Sequence, residues 1–148
     1  MGLDSGVRTW AIAKSTNAQD GREIIFRYAQ LFDPTFDRAS QPIRIIIVWK
    51  YSSDSGQPVK EDHERMNVLE DALESALQKE RFATLALVST GENLREWTYY
   101  AKSEDEFMAR LNFAFAGIQA FPIEIYIAHD SEWSTYEQFI VGVKETVN

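Results

Sequence analysis

Two histidines and no cysteine set the limits of the covalent chemistry open to this chain of 148 residues. A thiolate nucleophile, a disulfide framework and a cysteine-bearing zinc site are all excluded. His129 stands next to Asp130, and an imidazole beside a carboxylate is the minimum a carboxylate/His-dependent hydrolase would need as a general base. The competing role for Asp130 is structural, because an aspartate just before a helix-spaced apolar run is a favourable N-cap. His63 falls in the first turn of an acidic helix, where a solvated side chain is the simpler assignment. Glu61-Asp-His-Glu64 offers ligand-type groups, but successive helical residues point in different directions and the zincin pattern of histidines four apart is missing. Gly91 and Gly117 stand alone, so there is no glycine-rich phosphate loop. No catalytic residue, metal site or cofactor is assigned on these grounds.

A second kind of chemistry, recognition of another molecule, is carried by tyrosine and glutamate on the run 94–102, Leu-Arg-Glu-Trp-Thr-Tyr-Tyr-Ala-Lys. Strand alternation sends Arg95, Trp97, Tyr99 and Ala101 to one side, read as core, and Glu96, Thr98, Tyr100 and Lys102 to the other, read as wet. The run 121–128, Phe-Pro-Ile-Glu-Ile-Tyr-Ile-Ala, alternates in the same way, with Ile123, Ile125 and Ile127 inward and Glu124 and Tyr126 outward. Glu96, Thr98, Tyr100, Glu124 and Tyr126 therefore form the expected interaction surface on an open sheet face. Glu96 and Glu124, if close, would raise a carboxyl pKa. RNA-binding sheets also display aromatics, but with basic residues to hold phosphates, and Arg44 and Lys50 are too few. Trp97, Tyr99, Trp133 and Tyr136 are assigned to a packing cluster between the central strand and the last helix.

These residues must be held by surrounding elements. Residues 82–90 are β-branched and apolar, and Gly91-Glu92-Asn93 is a reversal, so this strand pairs with 94–102 as a hairpin. Residues 9–15 and 23–29, joined through Asp20-Gly21, predict an earlier hairpin. Residues 31–42 hold Pro34 and Pro42 and read as a loop pinned to the body by Phe32 and Phe36. Residues 43–51 are apolar on both faces apart from Arg44 and Lys50, as in an interior strand. Met66, Leu69, Leu73, Ala76 and Leu77 predict a helix over about 61–79, with acidic residues suited to its N-terminal dipole. Ser103 and Glu106 form a capping box ahead of a second helix carrying Phe107, Leu111, Ala114, Phe115 and Ile118. Pro122 suits an edge strand, and Asp130 or Ser131 caps a last helix with Trp133, Tyr136, Ile140 and Val143 on one face.

The resulting order from residue 43, strand-helix-strand-strand-helix-strand, predicts an α+β, ferredoxin-like βαββαβ fold with an N-terminal β-hairpin and an extra C-terminal helix. Both main helices are expected on one face of the sheet. Residues 1–148 are expected to form a single domain, since a chain of this length can bury about 70% of its unfolded surface. Apolar residues at 45% and charged residues at 26% are ordinary usage for a globular protein, and no run approaches the roughly 20 apolar residues of a membrane span. The amino-terminal run lacks an apolar signal segment and has Gly6 where a myristoylation signal needs Ser or Thr, so a cytoplasmic, unlipidated protein is expected. A net charge of −8 repels phosphate backbones. Nucleic acid is thus not the expected partner; an unidentified protein partner or self-association is.

Several segments carry a likeness: residues 20–26 (Asp-Gly-Arg-Glu-Ile-Ile-Phe), Gly56-Gln-Pro58, Arg95-Glu-Trp-Thr-Tyr-Tyr100, residues 121–124 (Phe-Pro-Ile-Glu) and residues 130–136 (Asp-Ser-Glu-Trp-Ser-Thr-Tyr). On these the chain resembles the bacterial family called domain of unknown function 695. The resemblance implies a ferredoxin-type fold, sometimes compared with a regulator that inhibits an RNA-degrading endonuclease, and brings no agreed activity. The expectation for function is a non-enzymatic protein-interaction or regulatory module using the open sheet face. The alternative is the hydrolase with a site near His129 and Asp130.

Overall fold

The computed structural model describes residues 6–147, with side chains described as far as residue 144. The reading of export and lipidation rests on the amino-terminal run, whose residues 1–5 lie outside the described residues. Six strands, β1 (Val7–Thr16), β2 (Glu23–Phe32), β3 (Ile43–Lys50), β4 (Ala83–Gly91), β5 (Leu94–Ala101) and β6 (Ile123–His129), build one sheet in the order β1-β2-β4-β5-β3-β6. All neighbouring strands run antiparallel. Three helices accompany them: α1 (Lys60–Leu77), α2 (Glu104–Phe115) and α3 (Ser134–Val147). The class is α+β. The amino-terminal hairpin is not an appendage to a four-stranded sheet, because β2 pairs with β4 through Ile25↔Thr90 to Tyr28↔Leu87 and makes the sheet six strands wide.

Local sequence explains each boundary. Glu92 and Asn93 both take positive φ, 52° and 66°, so β4 and β5 join through a two-residue turn whose handedness matches strand twist. Gly91 lies against β2, where an added Cβ would meet Glu23 O at 2.6 Å and Ile24 Cα at 2.8 Å. Ser103 Oγ accepts the Glu106 amide at 3.2 Å and starts α2, while the Glu106 carboxylate pairs forward with Arg110 at 2.8 Å rather than back to the cap. The Ile-rich β3 lies between β5 and β6. A short 3-10 turn at Arg38–Ser40 interrupts the proline-bearing connection. Phe32 and Phe36 stack there at 5.0 Å and both meet the Trp133 ring edge-on.

The sheet separates two apolar layers. On one face, Ile45, Ile47, Trp49, Trp97 and Tyr99 pack against Met66, Leu69, Leu73 and Leu77 of α1 and Phe107 and Leu111 of α2. On the other, Ala29, Ala86 and Tyr100 pack against Trp133 and Tyr136. Phe139 of α3 continues that second layer onto Phe26 and Tyr28 of β2, with centroids at 5.0 and 5.1 Å. The open face of the sequence reading is therefore half covered. The expected cluster of Trp97, Tyr99, Trp133 and Tyr136 is likewise split: the first two belong to the α1–α2 layer and the last two to the α3 layer. Alternation along β5 imposes the division, since Tyr99 and Tyr100 must leave the sheet on opposite sides.

Candidate functional site

The five residues of the expected interaction surface do not stay together. Tyr100 is fully buried and Thr98 nearly so, because α3 arrives on their face. The Tyr100 ring lies flat on Trp133, 4.2 Å between centroids and 9° between planes. Its hydroxyl donates to Asp130 Oδ2 at 2.8 Å and receives the Tyr136 amide at 3.4 Å. Burial, with the Asp130 hydrogen bond second, pushes the Tyr100 phenol well above its ordinary range. Tyr100 and Thr98 are structural, not part of a wet surface.

Asp130 resolves the choice between base and cap. Its Oδ1 accepts the Ser134 amide at 2.8 Å and its Oδ2 the Thr135 amide at 3.2 Å, satisfying N–H groups that every helix start leaves free. Partial burial alone would raise its pKa, but the two amides and the Tyr100 hydroxyl outweigh that and hold it below the usual carboxylate range. A base for proton abstraction needs the opposite shift. His129 is exposed at the end of β6, one residue out of phase with the side chains facing α3. Asp130 spends both oxygens on the helix, so the geometry gives the hydrolase reading no support. His63 is also exposed, in the first turns of α1. Among the described residues no three of His, Asp and Glu gather to hold a metal ion.

The uncovered remainder of the second face lies toward β3 and β6. Glu96 and Glu124 both sit opposite Val48 in the register, one on each side of β3. They are therefore two strand spacings apart, about 10 Å. The expected carboxylate pair does not form, and the Glu124 pKa is lowered rather than raised. The hydrogen bond from Tyr126 is the largest cause and the Lys50 charge the next. Tyr126 Oη donates to Glu124 Oε2 at 2.7 Å, and Lys50 Nζ stands 3.4 Å from Glu124 Oε1. The Tyr126 side chain is 51% exposed. Glu96 is half-buried, and Glu124 is exposed.

Two polar clusters escaped the sequence reading. On the α1 side, Arg27 Nη2 donates to both oxygens of Glu70 at 2.6 and 2.7 Å, and Trp97 Nε1 donates to Glu70 Oε1 at 2.9 Å. Arg95, nearly buried beside them, gives its Nε to Thr90 Oγ1 at 2.8 Å. Around α3, the Arg38 guanidinium lies 5.1 to 5.5 Å from the ring centroids of Phe32, Trp133 and Tyr136 and pairs with Glu137. Arg44 reaches Thr135 Oγ1 at 2.7 Å while its Nε is buried without a partner. An arginine in an otherwise apolar strand run is the only sequence signal for the last of these. Arg27 and Glu70 are too far apart in the chain for any spacing rule to link them.

Comparisons with known proteins give the chain a family. No curated protein and no solved structure matches the chain. A family described as a family of unknown function (DUF695) matches residues 9–141, from the third residue of β1 through to the middle of α3, and so takes in the sheet, both layers and the Asp130 cap. The chain belongs to that family of unknown function, DUF695.

Proposed function

We propose that this chain is a non-enzymatic interaction module that binds a protein partner through the portion of the second sheet face that α3 leaves uncovered. Tyr126 carries the reading. It stands half exposed on an edge strand with its hydroxyl fixed by Glu124, an apolar body with a polar tip of the kind enriched at protein interfaces. Glu124 lies beside it and Glu96 on the same face two strands away, on a chain of net charge −8, so the complementary partner presents basic residues to this patch. A regulatory role, acting by occupying a partner's surface, fits a module of this kind. The βαββαβ segment from β3 to β6 is read as a ferredoxin-like core extended by the β1–β2 hairpin, supported by the order β4-β5-β3-β6 with α1 and α2 together on one face.

The test compares three immobilised proteins in extract of the native cell: wild type, Tyr126→Ala, and the double variant Glu96→Lys with Glu124→Lys. Proteins held by the wild type should be lost from both variants while the unfolding midpoints stay unchanged. Retention of the same proteins by all three would remove this surface from the function.

A further inference from the structure

A small cavity lies under the C-terminal half of α1, on the sheet face opposite Tyr126. Its volume is about 110 Å³, its apolar walls include Leu73, Leu77 and Leu85, and its polar groups are Arg27, Glu70, Glu74, Gln78 and Tyr99. Arg27 and Glu70 satisfy each other through both carboxylate oxygens, at 2.6 and 2.7 Å. The other three differ. Among the described residues, the Glu74 carboxylate, the Gln78 amide and the Tyr99 hydroxyl have no hydrogen-bond or ion-pair partner. Tyr99 is only 3% exposed, yet its oxygen is not sealed off as Gln41 Oε1 and Arg44 Nε are, and it opens on this cavity. Burial, followed by the Glu70 charge, raises its pKa, so the phenol is neutral at ordinary pH.

We infer that this cavity binds a primary ammonium group carried on a short alkyl chain. Such a group has three N–H donors and no acceptor, and the cavity offers it three acceptors without partners: the Glu74 carboxylate, the Gln78 amide oxygen and the Tyr99 hydroxyl oxygen. Glu74 and Gln78 stand one turn apart on the same face of α1, and the cavity is so small that Tyr99, on its sheet side, reaches the same ligand. Volume sets the chain length. At ~30 Å³ for a water-sized group, there is room for the ammonium and about three methylenes, which bury against the leucines. Charge selects a cation over an anion or a neutral molecule. Glu70 already neutralises Arg27, which leaves Glu74 uncompensated. The last turn of α1 holds no basic residue, so the negative end of its dipole adds to the attraction. Arg110, which reaches Ala76 O at 3.2 Å, comes from α2 against the opposite face of the helix. A free alkylamine and a lysine side chain share this chemistry. The site lies across the sheet from Tyr126, so it stands independently of the partner surface proposed above.

Propylammonium chloride titrated into the full chain at neutral pH and constant chloride tests the assignment by proton-nitrogen NMR. The amides of Glu74, Gln78 and Tyr99 and the Trp10 indole N–H should shift together and saturate with a Kd of about 1 mM. Glu74→Gln should weaken binding at least about tenfold, and Tyr99→Phe several-fold. Glu61→Gln, which deletes the same charge in the first turn of α1, should leave it unchanged. Glu74 is exposed and the Tyr99 hydroxyl has no partner, so both variants should keep the wild-type unfolding midpoint. Nα-acetyl-lysine methylamide as a second probe separates the sources: affinity equal to that of propylammonium marks a protein side chain, and affinity at least about tenfold lower marks a free amine. Propan-1-ol binding as tightly as propylammonium, no saturation up to about 100 mM, or Glu61→Gln weakening binding as much as Glu74→Gln would each overturn it.

Discussion

Tyr100 and Asp130 are joined by a 2.8 Å hydrogen bond from the phenol to Oδ2, which ties the central sheet to the first turn of α3. One carboxylate thereby serves three donors: Tyr100 and the amides of Ser134 and Thr135. The Trp133 ring, stacked on Tyr100, sends its Nε1 to Gln41 O at 3.0 Å. Trp133 holds φ at 57°, a conformation a bulky side chain resists. Packing of its ring against Tyr100, Phe32, Phe36 and Tyr136 is what offsets that strain.

Removing the Tyr100 hydroxyl should therefore loosen α3 more than it disturbs the sheet. Tyr100→Phe is expected to cost about 1.5–3 kcal/mol, the range for a hydrogen bond to a charged group. Asp130→Ala should cost a similar amount through loss of the cap. The double variant should fall short of the sum, since both substitutions delete the same bond. Denaturant unfolding of the four proteins gives the coupling, and strict additivity would mean the bond contributes nothing.

Acid should weaken the same connection. The Asp130 pKa is depressed in the folded chain, so its contribution is complete above the unfolded aspartate value of about 3.9 and disappears as pH falls through the lower folded value. The stability gap between wild type and Asp130→Asn should accordingly narrow as the pH drops below about 4. Unfolding curves collected from neutral to acid pH measure it. A constant gap would mean that the carboxylate titrates normally.

Alkali should act through the buried phenols. Burial pushes Tyr136 up to about 12, and burial, followed by the Glu70 charge for Tyr99 and by the hydrogen bond to Asp130 for Tyr100, raises those two further. Their folded values lie above the unfolded one of about 10, so the stabilisation is complete below that pH and is lost as pH rises beyond it. Phenolate absorbance for these three should appear together with loss of near-ultraviolet dichroism. Full ionisation of all six tyrosines in a still-folded protein would contradict this burial.

Gly91 sets how closely the hairpin approaches the rest of the sheet. Gly91→Ala would place a methyl group within 2.6 Å of Glu23 O, and the backbone contact leaves no flexible side chain to give way. The expected cost is about 1–3 kcal/mol, as for other overpacked sites. Amide exchange should quicken first at the β2–β4 pairing, between Ile25 and Tyr28. Faster exchange confined to β6 would show that the contact is not the cause.

Much of the frame was legible without coordinates. The stripe of Met66, Leu69, Leu73 and Leu77, the Ser103 cap, the Glu92-Asn93 turn and the isoleucines of β3 are local patterns. Their causes, helical period, capping and alternation, act within a few residues. The candidate site divided along the same line. Tyr126 and Glu124 remained exposed because none of the described residues crosses their end of the sheet, whereas Tyr100 and Thr98, with the same alternation, are buried under α3.

The amino-acid sequence by itself determined which residues leave each strand together, because alternation is a property of the chain. Only the tertiary structure decided what meets them. Strand period assigns Tyr100 to the face opposite Tyr99 but is silent on whether water or a helix lies there. That choice depends on where α3 travels after Asp130, and on the Trp133 ring finding Tyr100. A pairing across 33 residues of chain, like that of Arg27 with Glu70 across 43, follows from packing and leaves no periodic trace.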